Sequence, residues 1–140
     1  MKYLKLYEEI TNTRLPDLKK LLDHLVEVFT NIGYYHNNFL SDELETHFVT
    51  KDSGSRIFDL LGDYSSAYII IIITMRSASK AYDEQIQEYF KIIEGLKIYS
   101  ENKDWYRISF EIVGDVDDII NQITEDSLKM FLDAKKYNIV

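Results

Sequence analysis

Apolar residues recur at Leu18, Leu21, Leu22, Leu25, Phe29 and Ile32, the spacing of a single helical face, with Pro16 and Asp17 suited to a first turn and Gly33 to a left-handed stop. From Glu43 the period shortens to two: Leu44, Thr46 and Phe48 alternate with Glu45, His47 and Val49, which reads as a strand with the first set inward. Lys51-Asp52-Ser53-Gly54 then turns the chain, and 55–61 fits either the returning strand or one turn of helix. The run Ala67 to Met75 holds five consecutive isoleucines and has no period at all. β-Branched side chains are stiff at χ1 and suit a pleated surface, so 67–75 is expected to be the central strand, dry on both sides and covered on both sheet faces. A meander of three strands ending in it is the simplest arrangement.

A second helical stripe follows at Tyr82, Ile86, Tyr89, Phe90 and Ile93, closed by Gly95. If 96–100 joins the same sheet parallel to the isoleucine strand, the helix between them is a crossover and should be right-handed. Residues 105–113 form a one-sided strand, with Tyr106, Ile108, Phe110 and Ile112 inward and Arg107, Ser109 and Glu111 outward. Asp115 and Asp118 have capping-box spacing at the start of a last helix, whose apolar stripe rotates near Thr124-Glu125-Asp126 and so predicts a break there. Residues 1–10 fit a short helix slightly better than a strand. The expected fold is a single α+β domain spanning 1–140, with a mixed, mostly antiparallel sheet of about five strands around 67–75 and three main helices.

The opening Met1-Lys2-Tyr3-Leu4-Lys5-Leu6-Tyr7-Glu8 resembles the start of many uncharacterised tailed-phage proteins, which often begin Met-Lys-x-Ile/Leu-Lys-x-Phe/Tyr-Glu. Tyr7 matches the aromatic position and Glu8 the acid. The resemblance covers eight of 140 residues and implies an origin, with no activity or site attached.

Composition narrows the chemistry. No cysteine is present, which excludes disulfides, thiolate metal sites and cysteine nucleophiles. Acidic Glu8 and Glu9 interrupt any signal-peptide core and no stretch is long enough to span a bilayer, so a cytoplasmic protein without membrane contact is expected. With 16 Lys plus Arg against 24 Asp plus Glu, the net charge of −8 repels phosphate backbones and disfavours direct nucleic-acid binding. Eleven tyrosines supply side chains that work half-packed and half-wet, at the rim of a core or at an interface.

No Gly-x-Ser-x-Gly elbow, phosphate-binding loop, zinc-protease helix or dinucleotide fingerprint occurs, so catalysis is the minority reading and no cofactor is expected. Arg76-Ser77-Ala78-Ser79-Lys80 leads from the buried strand into a helix N-terminus, where Arg76, Ser77, Ser79 and Lys80 could hold an anion. The loop has no glycine to bring a phosphate close, and serine is also an ordinary cap. Glu43, Glu45 and His47 alternate in the manner of metal ligands, but lack a fourth ligand and read better as solvated outward positions. Acidic clusters, foremost Asp115, Asp117 and Asp118, suit docking to a basic protein, with Tyr34 and Tyr35 as further contact candidates. The sequence therefore points to a small acidic interaction protein acting by stoichiometric binding, such as an inhibitor of a basic nuclease or defence effector. A nucleotide- or phosphometabolite-binding protein is the alternative, and an enzyme of unrecognised type the third.

Overall fold

The computed structural model describes residues 14–36, 44–50, 54–65, 67–76 and 80–137, with side chains at all of these but 80–84 and 135–137. The element order is α1 (Leu15–Asn31), β1 (Tyr35–His36), β2 (Glu45–Val49), β3 (Arg56–Tyr64), β4 (Ile69–Met75), α2 (Lys80–Lys91), β5 (Leu96–Asn102), β6 (Arg107–Ile112), α3 (Val116–Gln122) and α4 (Glu125–Tyr137). The six strands form one sheet in the order β1-β2-β3-β4-β6-β5, so the chain is an α+β domain built around the isoleucine strand. Residues 1–10, for which a short helix was the favoured reading, lie outside the described residues.

The expected meander is present. β2 pairs antiparallel with β3 and β3 with β4, with Phe58 opposite Met75, Leu60 opposite Ile73 and Gly62 opposite Ile71. Residues 55–61 resolve as strand because Phe58 and Leu60 face the core while Asp59 faces away, a period of two that a helical turn would break. The sixth strand comes from Tyr35 and His36, which pair with Val49 and Phe48. Two residues carry no periodicity, so pairing alone defines that strand. On the other side of β4, strand β6 pairs antiparallel with β4, and β5 antiparallel with β6. β5 thus runs in the direction of β4, as the crossover reading expects, but β6 is inserted between them and no two neighbouring strands are parallel. The β4-α2-β5-β6 segment is a split βαβ unit.

All of the single core lies on one face. From β4 it takes Ile69, Ile71 and Ile73 and leaves out Ile70 and Ile72. Leu18 and Leu21 of α1, Ile86 and Phe90 of α2, Ile119 of α3 and Leu128 of α4 complete it. Both sides of the isoleucine strand are dry, as expected: on the face away from the core cluster Ile70 is 4% exposed and Ile72 half-buried. Gly62 sits where α1 crosses the sheet, since a Cβ there would stand 2.7 Å from Leu22 Cδ1. Gly95, at φ +97°, lets the turn after α2 pass Gly114, whose amide donates to the Gly95 carbonyl at 3.1 Å. Tyr106 was expected inward on β6. It takes φ +50° in the β5-β6 turn and is exposed, because the strand begins one residue later.

The predicted break in the last helix falls between α3 and α4, which makes four helices among the described residues. Asp115 caps α3 by accepting from the amides of Asp117 and Asp118. Thr124 and Ser127 exchange side-chain bonds with each other's amides at the start of α4, the reciprocal pattern of a capping box. Tyr89 of α2 ties the two helical pairs together, its ring against Phe131 and its hydroxyl 2.6 Å from Ser127 Oγ.

Two outcomes follow from this packing. Ile71→Asp places an unpaired charge in the core and abolishes the cooperative melt, whereas Ile72→Thr on the face away from the core costs about 1 kcal/mol and keeps it. An aspartate variant that melts cooperatively near the wild-type temperature would remove Ile71 from the centre. Burial raises the pKa of the Tyr89 hydroxyl above its ordinary 10.0. Since the folded value then exceeds the unfolded one, this contribution is whole below pH 10.0 and is lost as pH climbs through the folded value. Tyr89→Phe, measured by urea melts between pH 8 and 11, should therefore lose less stability with rising pH than the wild type.

Candidate functional site

The sheet face turned away from the core cluster is organised in transverse rows fixed by strand register. His47 lies opposite Asp59, Asp59 opposite Thr74, Thr74 opposite Arg107, and Arg107 opposite Asn102, one polar row across five strands. The next rows set Leu61, Ile72 and Ser109 side by side, then Asp63, Ile70 and Glu111. His47, Asp59, Thr74 and Ser109 are buried on this face, so their polar groups need protein partners.

Asp59 is the centre of the polar row. Its side chain is 7% exposed, and Oδ1 accepts from His47 Nδ1 at 2.5 Å while Oδ2 accepts from Arg76 Nε at 2.7 Å. Arg56 Nη1 stands 4.0 Å from the same Oδ2. His47 is as buried as Asp59, and its Nε2 lies 3.5 Å from Glu45 Oε1. One step along the row, Arg107 Nε donates to Thr74 Oγ1 at 3.2 Å. A buried carboxylate needs both partners and hydrogen bonds, and Asp59 has them from three residues. Every buried side-chain nitrogen and oxygen among the described residues has a partner.

The helix layer carries a different site. A groove of about 380 Å³ between α1 and the α3-α4 corner is lined by His24, Glu27, Val28, Ile123, Thr124, Glu125 and Asp126. Its wall contains three carboxylates and no lysine or arginine. His24 is half-buried with Nε2 2.6 Å from the Ile123 carbonyl oxygen, and Asn31 Nδ2 donates to Glu125 Oε1 at 2.6 Å. A second cleft of about 280 Å³ at the β5-β6 turn includes Lys91, Glu88 and Glu101. There Lys91 donates to Glu88 at 2.9 Å and lies 3.9 Å from Glu101, and the Glu88 bond holds its pKa above the ordinary lysine value.

The residues singled out by sequence are distributed unevenly over these features. Arg76 is on the sheet face turned away from the core with its Nε bound to Asp59. Ser77 and Ser79 lie outside the described residues, and Lys80 is described in its backbone only, as the first residue of α2. Asp115 is the α3 cap, and Asp117 pairs with Lys20 of α1 at 2.5 Å, an exposed contact that raises the Lys20 pKa. Asp118 is exposed one turn from the groove. Tyr34 packs edge-on against Phe29, Phe48 and Phe58, and Tyr35 is exposed on the edge strand. His47, expected in water, is buried, its Nδ1 bonded to the cross-strand Asp59, a pairing that strand alternation alone does not reveal. Glu43 is outside the described residues, and no group of three His, Asp or Glu side chains among the described ones is placed to hold a metal ion. No described helix is long and apolar enough to cross a membrane. Asp59, Thr74 and Arg107 were missed altogether, because their signal is register rather than local spacing. No protein-family model matches the chain, and no curated protein or solved structure does either.

The His47-Asp59 pair gives a direct test. Asp59→Leu removes the carboxylate from the buried His47 Nδ1 and from Arg76 Nε and should cost about 1–3 kcal/mol in urea unfolding. Asp59→Leu combined with His47→Leu should cost less than the sum of the single changes, since both orphans are removed together. Strictly additive losses would show that the two side chains do not interact.

Proposed function

We infer that the protein acts by stoichiometric binding and that its acidic helix layer docks on a basic protein partner. The observation that carries this reading is the groove between α1 and the α3-α4 corner, whose charged wall is wholly acidic: Glu27, Glu125 and Asp126. A recess of that kind accepts lysine or arginine side chains, and exposed carboxylates around it, such as Asp23 and Asp118, extend the negative field that steers encounter. Glu125 and Asp126 also complement the α4 dipole, so part of their role is structural in any case.

The reading moves the docking centre away from Asp115 and Asp117, whose carboxylates are engaged in a cap and an ion pair, toward the groove beside them. It favours binding over catalysis because His47, the histidine best placed beside an acid, has Asp59 on one ring nitrogen and Glu45 near the other. A general base needs a free lone pair in reach of substrate. Were the tailed-phage resemblance of the first eight residues to reflect origin, a host nuclease or other basic defence protein would be the natural target.

The test is kinetic. A partner captured at low salt and released at high salt should associate at least about tenfold more slowly with a Glu27→Lys, Asp126→Lys variant, with little change in dissociation. The difference should shrink as the Debye length falls from ~30 Å at 0.01 M to ~8 Å at 0.15 M ionic strength. Asp63→Lys, on the sheet face away from the core, is the control and leaves the rate unchanged. Equal association rates for wild type and the groove variant would remove this layer from the interface.

A further inference from the structure

Three of the chain's four arginines, Arg56, Arg76 and Arg107, lie at one end of the sheet face turned away from the core, on β3, just past the end of β4, and on β6. Two of them are held in the same way. Arg76 spends Nε on Asp59 Oδ2 and Arg107 spends Nε on Thr74 Oγ1, and their Nη groups make no hydrogen bond to a described residue. Asp59 and Thr74 are cross-strand neighbours, as are Thr74 and Arg107, so the two guanidiniums flank Thr74. Anchoring a guanidinium through Nε fixes its plane and leaves the paired Nη donors as a preformed fork, the geometry that matches carboxylate and phosphate oxygens. The charges do not cancel locally. One carboxylate, Asp59, is shared by His47, Arg76 and, at 4.0 Å, Arg56, while Arg107 rests on a neutral hydroxyl. Glu45 is beside His47 at the far end of the row, and Asp63 and Glu111 are two rows away, flanking Ile70.

The geometry points to an oxyanion-binding site at Arg76, Thr74 and Arg107, with Arg56 as a third cation, for a phosphate-type dianion, either free or as the terminal group of a small phosphomonoester. Two forks donate to its terminal oxygens, and the surplus of positive charge favours a dianion over a monocarboxylate. A chain of net charge −8 that collects most of its arginines in one place, each braced by a buried or half-buried partner, spends ordering on a surface where scattered lysines would keep it wet. The site is independent of the acidic groove on the helix layer, and either can fail without the other.

The test uses the full chain in titrations with inorganic phosphate, phenyl phosphate, sulfate and acetate, at constant ionic strength set by chloride, read by thermal shift and by calorimetry. Phosphate and phenyl phosphate should each raise the melting temperature in a saturable way, with acetate at least about tenfold weaker. Preference for phenyl phosphate identifies a phosphomonoester, and preference for inorganic phosphate the free ion; both support the site. Arg107→Gln, which removes only an exposed side chain bound to Thr74, should weaken binding at least about tenfold while the unliganded melt stays put. Arg76→Gln should do the same, and if it lowers the unliganded melt through Asp59, Arg107→Gln still reads the site. Lys97→Gln, opposite Glu111 on the same face, leaves binding unchanged. No saturable effect of either phosphate, or equal binding by wild type and the Arg107 variant, overturns the assignment.

Discussion

A strand hydrogen-bonded along both edges, with three isoleucines driven into one face, sets the conditions for everything else in this molecule. Ile69, Ile71 and Ile73 are almost completely buried, and burial of each is worth roughly 1.5–3 kcal/mol before ordering costs. Helices that gather on that face bury their own stripes against the same three side chains, so all the described core collects there. The identical residues Ile70 and Ile72 are left on the opposite face, beside the polar side chains of the neighbouring strands.

That asymmetry explains what the sequence could and could not disclose. Helix α1 and the outer limits of α2 were legible because their stripes have a period, and the α3-α4 break because the stripe rotates. Within the isoleucine run there is no period to read, so the side facing the helices could not be told from the side facing away. Asp59 was invisible for a related reason: 55–61 has few residues and two fitting patterns, and its partner His47 lies twelve positions back. Their meeting depends on the β2-β3 register, which the alternation of each strand separately does not specify. The insertion of β6 between β4 and β5 likewise leaves no local mark, since both strands keep the direction that a simple crossover would give them.

Asp59 also decides the character of the face turned away from the core. A carboxylate held at 7% exposure must be surrounded by donors, and the donors available across and along the strands are an imidazole and two arginines. Once Arg76 is bound through Nε its guanidinium cannot swing into solvent freely, and Thr74 restrains Arg107 in the same fashion. A row that begins as a solution to burying one acid therefore ends by ordering several cations. Thr74 rather than another acid beside Arg107 is what leaves charge uncompensated.

Eleven of the 24 acids lie on the described helices, across the sheet from Arg56, Arg76 and Arg107. Helices stacked on a sheet put the two surfaces at least about 10 Å apart. Through solvent this is comparable with the Debye length of ~8 Å at physiological ionic strength, so the field of one surface is already damped at the other. Through the protein the path runs across the apolar core, where no mobile ion screens but where the intervening chain also holds the charges apart. A net charge of −8 is consequently a poor guide to what the sheet face meets. Local balance governs there: Arg56 and Arg76 share one carboxylate, Arg107 rests on a hydroxyl, and Asp63 and Glu111 lie two rows away, whereas the groove on the helix layer is lined by Glu27, Glu125 and Asp126.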